Sequence, residues 1–556
     1  MNKNYFITFL FALIFTQVTF AQLFDKTEVF SKQDTLRGTL LPERACFDVN
    51  YYNLTVDVDI PGKTIKGSND IYFTAVTDFD KLQIDLFENL KIDGIVWKGK
   101  NLDFTREYNA VFVKFPQKIK KGDKQMFTVN YSGAPQIAKN APWDGGFSFA
   151  SDKNGNPWVG VSCEGLGASV WWPNKDHLSD EPDSMMINAI VPADLMCVAN
   201  GNLVETKELP NNRTKYAWKV SYPINNYNVT LNIAKYSHFG DTYTNADGSV
   251  LALDYYVLDY NLETAKKQFQ QVKPMMACYE KYLGKYPFIK DGYALVETPY
   301  LGMEHQSAVA YGNQYKTGYL GYDFSGINLD FDYIIIHETG HEWWGNNVSA
   351  KDIADLWIHE GFCTYTESIY VECMFGYDMA MKYIEAMKNN VVNGGPIIGK
   401  YDVNNEGSAD MYNKSAIFLN TLRSQVDNDA LWWSIIKGIQ QDFGKQTVTT
   451  GQIENYISRK AGKDFSKLFD QYLRNAALPV LEYKVVKTAD GIELTYRWIA
   501  DVPGFDMPIK YINAQGKAVW LNPNTGWQTT AIYGLDENSF KLDTLHFYFT
   551  EKQVKS

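Results

Sequence analysis

Apolar and polar side chains alternate over Tyr52-Asn53-Leu54-Thr55-Val56-Asp57-Val58-Asp59, the period-two pattern of a strand with one buried face. Similar short runs recur from about 46 to 240, separated by turn pairs such as Pro61-Gly62 and Asn200-Gly201. The period changes near 260. Phe269, Val272, Met276 and Tyr279 fall three or four apart and predict a helix over 261–283. Further helical stretches are predicted at 330–346, 353–374, 377–392, 411–426, 430–443 and 451–474, with short strands near 292–297 and 307–312. After Pro479 strands return: Val480–Lys487 and Ile492–Trp498 flank the hairpin pair Asp490-Gly491. The pattern predicts an α+β multidomain chain: an N-terminal antiparallel β domain over 22–245, a mostly helical domain over 246–478 and a small C-terminal β-sandwich over 479–556.

Residues 1–21 follow another logic. Lys3 precedes an apolar run from Phe6 to Phe15, and Thr19-Phe20-Ala21 supplies small residues for cleavage before Gln22. This reads as an export signal, because the run is about half the ~20 residues of a membrane-spanning helix. The expected address is periplasmic or extracellular, with no membrane span after cleavage.

The chain has 556 residues, of which 45% are hydrophobic and 21% charged, as in folded domains. Its net charge of −12 argues against a nucleic-acid partner, which needs a basic face. Six cysteines (Cys46, Cys163, Cys197, Cys278, Cys363, Cys373) show no CxxC spacing and read as buried thiols with one bridge at most. Histidine is scarce, at seven residues, yet His305, His337, His341 and His359 crowd into one segment.

Two of these belong to His337-Glu338-Thr339-Gly340-His341, an HExxH run. Positions four apart share a helix face, so both imidazoles can reach one metal, while Glu338 can meet water at that metal without ligating it. Zinc sites of this kind use three protein ligands and one open position. Glu360 follows His341 with 18 residues between, room for a loop and a returning helix, and Asp355 suits that helix's N-cap or first turn. His359 is a rival ligand, but neighbouring helix residues point about 100° apart, so only one can face the metal. Glu360 is preferred, and His359 becomes a supporting or packing residue. Glu367, two turns beyond Glu360, reads equally as an acceptor for a ligating histidine's spare N–H or as a surface carboxylate.

The runs HETGHEWWGN and DLWIHEGF resemble the zinc signature of the aminopeptidase N family, the gluzincin metallopeptidases that include the leukotriene-forming epoxide hydrolase. The resemblance follows the domain order of the whole mature chain and is most specific over 302–367 and at 412. It implies a thermolysin-like helical catalytic domain, one Zn2+ per chain on His337, His341 and Glu360, and release of N-terminal residues from peptides with a free N-terminus. Glu338 then takes the proton of the attacking water. Gly302, Met303 and Glu304, in Leu301-Gly302-Met303-Glu304-His305, match the family's exopeptidase motif, with Glu304 on the substrate amine and Met303 on the first side chain. Glu164, in Ser162-Cys163-Glu164-Gly165, resembles the second amine anchor, and Tyr412, in Tyr412-Asn413-Lys414-Ser415-Ala416, the oxyanion donor.

Leu301 and His305 depart from that motif, standing where the family has Gly and Asn. His305 is expected either to titrate near neutrality or to be a hydrogen-bonded packing residue. Two other functions use the same residues. Lipid epoxide hydrolysis would add an apolar tunnel and a carboxylate-binding Arg, and a non-catalytic zinc-binding surface module would need neither Glu338 nor Tyr412. The sequence leaves the oligomeric state open.

If Glu360 is the third ligand, Glu360→Gln will lose most of its zinc on dialysis while His359→Asn keeps it, as read by metal analysis. The reverse result would exchange the two assignments.

Overall fold

The alternation near residue 52 becomes strand β1 (Phe47–Asp59), whose inward Tyr52, Leu54, Val56 and Val58 are completely buried. The computed structural model describes residues 29–555, so the signal expected over 1–21 lies outside the described residues. β1 pairs antiparallel with β2 (Thr64–Ala75) in an eight-stranded sheet. One ladder departs from the expected antiparallel pattern: β1 runs parallel to β3 (Ser184–Pro192), from Tyr51 opposite Ser184 to Asp57 opposite Ile190. Between them the chain builds strands of other sheets, including Gly146–Ser151 and Pro157–Ser162, and such a long excursion lets a strand return in the same direction.

The helical part is built on a five-stranded sheet of β4 (Tyr236–Thr244), β5 (Val250–Leu258), β6 (Tyr293–Glu297), β7 (Gly302–Met303) and β8 (Val309–Tyr311), in the order β4-β5-β6-β8-β7. This corrects the division expected at 245/246. That point falls in the turn of the β4–β5 hairpin, whose ladder runs from Tyr236 opposite Leu258 to Thr244 opposite Val250. The helical unit's sheet therefore starts at Tyr236. β4 falls at the end of the strand-rich run expected from about 46 to 240, and strand character alone does not name a strand's partner.

This sheet is a wall shared by two cores. Tyr293 and Leu295 of β6 pack with the helices, and Ala294 and Val296 with the β-domain core. Strand alternation sends successive side chains to opposite faces, so one strand serves both. The principal helices are α1 (Val272–Tyr282), α2 (Tyr333–Gly340), α3 (Trp357–Phe375) and α4 (Asn413–Val426). α2 is shorter than the expected 330–346. Asp332 caps its start by accepting from Ile334 and Ile335 N–H, and it ends at Gly340 with His341 still helical in backbone (φ −64°, ψ −21°). The stretch 451–474 is two helices, Thr450–Ala461 and Ser466–Leu473.

The C-terminal strands form a four-stranded sheet, including Val480–Lys487 and Gly491–Ile499, and a three-stranded sheet, and their inward Leu481, Trp498 and Ile509 join the helical core. No helix among the described residues is long and apolar enough to cross a membrane.

One disulfide, Cys278–Cys373, ties α1 to the end of α3, and Cys46, Cys163, Cys197 and Cys363 are buried thiols. The bridge closes a sequence separation of 95 residues. Replacing both cysteines by serine is expected to cost about 2–5 kcal/mol in urea unfolding. A loss under ~1 kcal/mol would mean that packing alone holds the two helices.

Candidate metal centre and substrate cleft

α2 and α3 pack antiparallel and bring three ligand atoms together. His337 Nε2 and His341 Nε2 are 3.3 Å apart, and Glu360 Oε2 lies 3.7 Å from the first and 3.5 Å from the second. Ligands bound tetrahedrally at ~2.0–2.1 Å stand roughly 3.3–3.4 Å from one another, so this triangle is the size zinc requires. Glu360 is 2% exposed, and its Oε2 has no hydrogen-bond partner among the described residues. A buried carboxylate oxygen left bare points to a cation. Cys363, one turn beyond Glu360, also lies near both imidazoles. Its Sγ is 2.9 Å from the His337 carbonyl oxygen and donates to it, so Glu360 is the better third ligand. The donor set of two imidazoles and a carboxylate fits Zn2+.

Each imidazole is turned by its other nitrogen. His337 Nδ1 donates to Glu367 Oε1 at 2.7 Å, and His341 Nδ1 donates to the Trp344 carbonyl at 3.0 Å. Both Nε2 lone pairs are left for the metal. Glu367 is buried and accepts also from Tyr333 (2.9 Å) and Tyr383 (2.7 Å), which decides its reading in favour of the supporting role. Asp355 is not a cap. It stands in the turn before α3, and its carboxylate accepts from Tyr401 and Thr450, while Asp352 accepts the Ala354 N–H. Gly361 lets the next segment approach: a Cβ there would meet Ser415 Cβ at 2.5 Å and the Met411 carbonyl at 3.0 Å. That approach brings Tyr412 to the site, its ring centroid 6.4 Å from that of His337.

These groups line a cleft of about 490 Å³ that also holds Glu164, Gly302, Met303, Glu304 and Glu338. Every residue expected at the site is therefore brought to one place. Burial pushes the Glu338 carboxyl up to about 7, against the pull of His337 and His341. Burial, and then Glu304 and Glu360 nearby, hold Glu164 well above the usual carboxylate range. Glu304 is raised as well, first by burial. With Asp144 and Glu406 the wall carries six carboxylates, and no Lys or Arg lines it among the described residues.

The Peptidase family M1 domain matches residues 260–472, and the Peptidase M1 N-terminal domain matches residues 48–227. The chain belongs to peptidase family M1, the aminopeptidase N family. It is 20% identical to aminopeptidase 2 of Candida albicans over 524 residues, covering 87% of this chain and 54% of that protein. It is 22% identical to leucyl aminopeptidase of Saccharolobus solfataricus, covering 79% of this chain and again 54% of the relative. The chain thus spans about half the length of these curated relatives. Among solved structures, an M1 zinc metallopeptidase from Deinococcus radiodurans with a Tyr-Ser-Ala substrate has a similar fold, with a TM-score of 0.66 at 17% identity over 80% of this chain and 98% of that one.

The departures from the M1 exopeptidase motif now have places. Leu301 lines the cleft, and β7 still pairs with β8, so losing that glycine does not undo the strand. His305 meets neither expectation. It is wholly buried, both ring nitrogens lack hydrogen-bond partners among the described residues, and burial pushes it down to about 3. Tyr333, Tyr383 and Tyr227 serve the site and were missed. Among 37 tyrosines only Tyr333 carried a local signal, standing four residues before His337 on one helix face.

Gly302 packs on the Glu338 carboxylate: a Cβ would lie 2.7 Å from Oε1 and 2.8 Å from Ile334 Cγ2. Gly302→Ala should displace Glu338 and lower kcat at least ~10-fold with zinc content unchanged, since small misplacements of a proton acceptor are costly. Unchanged kcat would show that the strand yields instead.

Proposed function

We propose that this M1 chain is an exported zinc aminopeptidase that removes N-terminal residues from peptides. The observation that carries the reading is the convergence of Glu164 and Glu304 with Glu338 beside the His337–His341–Glu360 triangle, in a cleft lined by no Lys or Arg among the described residues. Two carboxylates crowded together are costly until a cation joins them, and a substrate's α-ammonium is such a cation. Pairing with it leaves the first peptide bond at the metal triangle, which explains exopeptidase action.

Bound zinc supplies Lewis acidity, which acidifies water and polarises a carbonyl. Glu338 accepts the proton of the attacking water and passes it to the leaving amine. Tyr412, kept a phenol by burial, donates to the oxygen that becomes negative in the tetrahedral species. β7 is the last strand of its sheet, so its outer edge can take the substrate backbone in extended form, with Met303 beside the first side chain.

Epoxide hydrolysis is not favoured, since among the described residues no Arg lines the cleft to meet a lipid carboxylate. A non-catalytic module would have no use for Glu338 and Tyr412 at the metal. Export is supported by the pattern of residues 1–21 and by a disulfide of the kind that persists in oxidising compartments. The proposed partners are peptides with a free N-terminus.

A panel of aminoacyl fluorogenic substrates, with and without chelator, tests this. Chelator-sensitive release is expected, with Tyr412→Phe lowering kcat about 10²–10³-fold and KM changing little. No release from any substrate would end the aminopeptidase reading, and near-normal turnover of Tyr412→Phe would end the oxyanion role.

A further inference from the structure

His359 precedes the metal carboxylate in sequence, but its ring turns away from the metal. It is wholly buried, and its two nitrogens meet different partners. Nε2 accepts the backbone N–H of Ala350 at 2.7 Å. A backbone N–H can only donate, so Nε2 carries no proton and the ring proton sits on Nδ1. Nδ1 is 3.2 Å from the Tyr227 hydroxyl, so the imidazole donates to the phenol oxygen. The phenol hydrogen is then free for one other acceptor, and Glu304 Oε1 lies 2.9 Å away. The chain of bonds has a single direction: Ala350 to His359, His359 to Tyr227, Tyr227 to Glu304.

Glu304 needs such a tether. One of its oxygens lies within 4.8 Å of ligand atoms of His341 and Glu360, near enough to be drawn to a metal there. A carboxylate that became an extra ligand would be lost to the substrate amine. We infer that Tyr227 and His359 are positioning residues that hold Glu304 off the metal and aim it at the substrate's α-ammonium. Tyr227 occupies one Glu304 oxygen and leaves the other for the ammonium. Burial raises the phenol well above its ordinary range, so it stays a donor. The tether also joins the two units. Tyr227 lies in the turn Asn226–Asn228 of the β domain, fastened to the helical unit by Asn225 Nδ2 donating to the Gly345 carbonyl at 2.9 Å.

The inference rests on the aminopeptidase reading, and its test separates the two. Zinc-loaded wild type, Tyr227→Phe, His359→Asn and the double variant are titrated calorimetrically with L-leucinamide, which carries an α-ammonium, and with acetohydroxamate, which binds metal without one. Tyr227→Phe is expected to bind leucinamide about tenfold or more weakly and to lose clearly less affinity for acetohydroxamate. For an aminoacyl substrate its KM rises more than its kcat falls. His359→Asn shifts the same way, since Asn is too short to join Ala350 to Tyr227, and it carries the test should Tyr227→Phe fail to fold. The double variant is no worse than Tyr227→Phe, because both act through one chain of bonds. Leucinamide binding within twofold of wild type, or an equal loss of both ligands, overturns the tether while wild-type hydrolysis keeps the aminopeptidase reading. A wild type that neither cleaves aminoacyl substrates nor binds leucinamide overturns both.

Discussion

Negative charge gathered where water is scarce is the constraint on which the site depends. Glu164, Glu304, Glu338 and Glu360 share one cleft, and Glu367 lies buried behind it. Carboxylates out of water are costly, and like charges close together are costlier. Donors inside the protein offset part of this: Glu367 accepts from an imidazole and two phenols, and Glu304 from Tyr227. The bare Glu360 oxygen and the raised Glu164 and Glu338 carboxyls are the part left over. That remainder asks for two cations, a metal at the His–His–Glu triangle and an ammonium between Glu164 and Glu304. The electrostatic deficit and the proposed specificity for free N-termini are thus one property.

No single element could assemble such a group. Glu164 comes from the β domain, Glu304 from the position just after the edge strand β7, Glu338 from α2, and Glu360 and Glu367 from α3. What fixes their spacing is apolar: the five-stranded sheet packed on both faces, and two glycines where elements touch. At Gly302 the strand lies against Glu338, and at Gly361 helix α3 lies against the turn carrying Tyr412. Both sit beside functional groups, because distances of a few tenths of an ångström matter most there.

This division explains what could be read from the chain. The two metal histidines were legible because their relation is local, four residues on one helix, and Glu360 because its helix follows at once. The helical and strand segments were largely legible from period. Pairing was not: the expected division cut the β4–β5 hairpin and left β4 with the preceding β domain, and the parallel ladder between β1 and β3 left no mark in either strand. His359 and Tyr227, 132 residues apart, had no common signal at all. A hydrogen bond across two units depends on where the backbones meet, which neither local pattern encodes.

His359 also shows why the residue next to a ligand should not be read as a spare ligand. Glu360 and His359 leave α3 in directions about 100° apart, so the helix that aims one at the metal sends the other into the seam between the units. In that seam a residue with one donor and one acceptor can join a backbone N–H to a phenol, which a carboxylate or an ammonium cannot do. In the proposed reading the same helix turn serves two cations, the metal through Glu360 and the substrate's ammonium through His359, Tyr227 and Glu304. On that reading amine recognition depends on the seam staying closed, and the β domain takes part in the proposed chemistry although it contributes none of the three metal ligands.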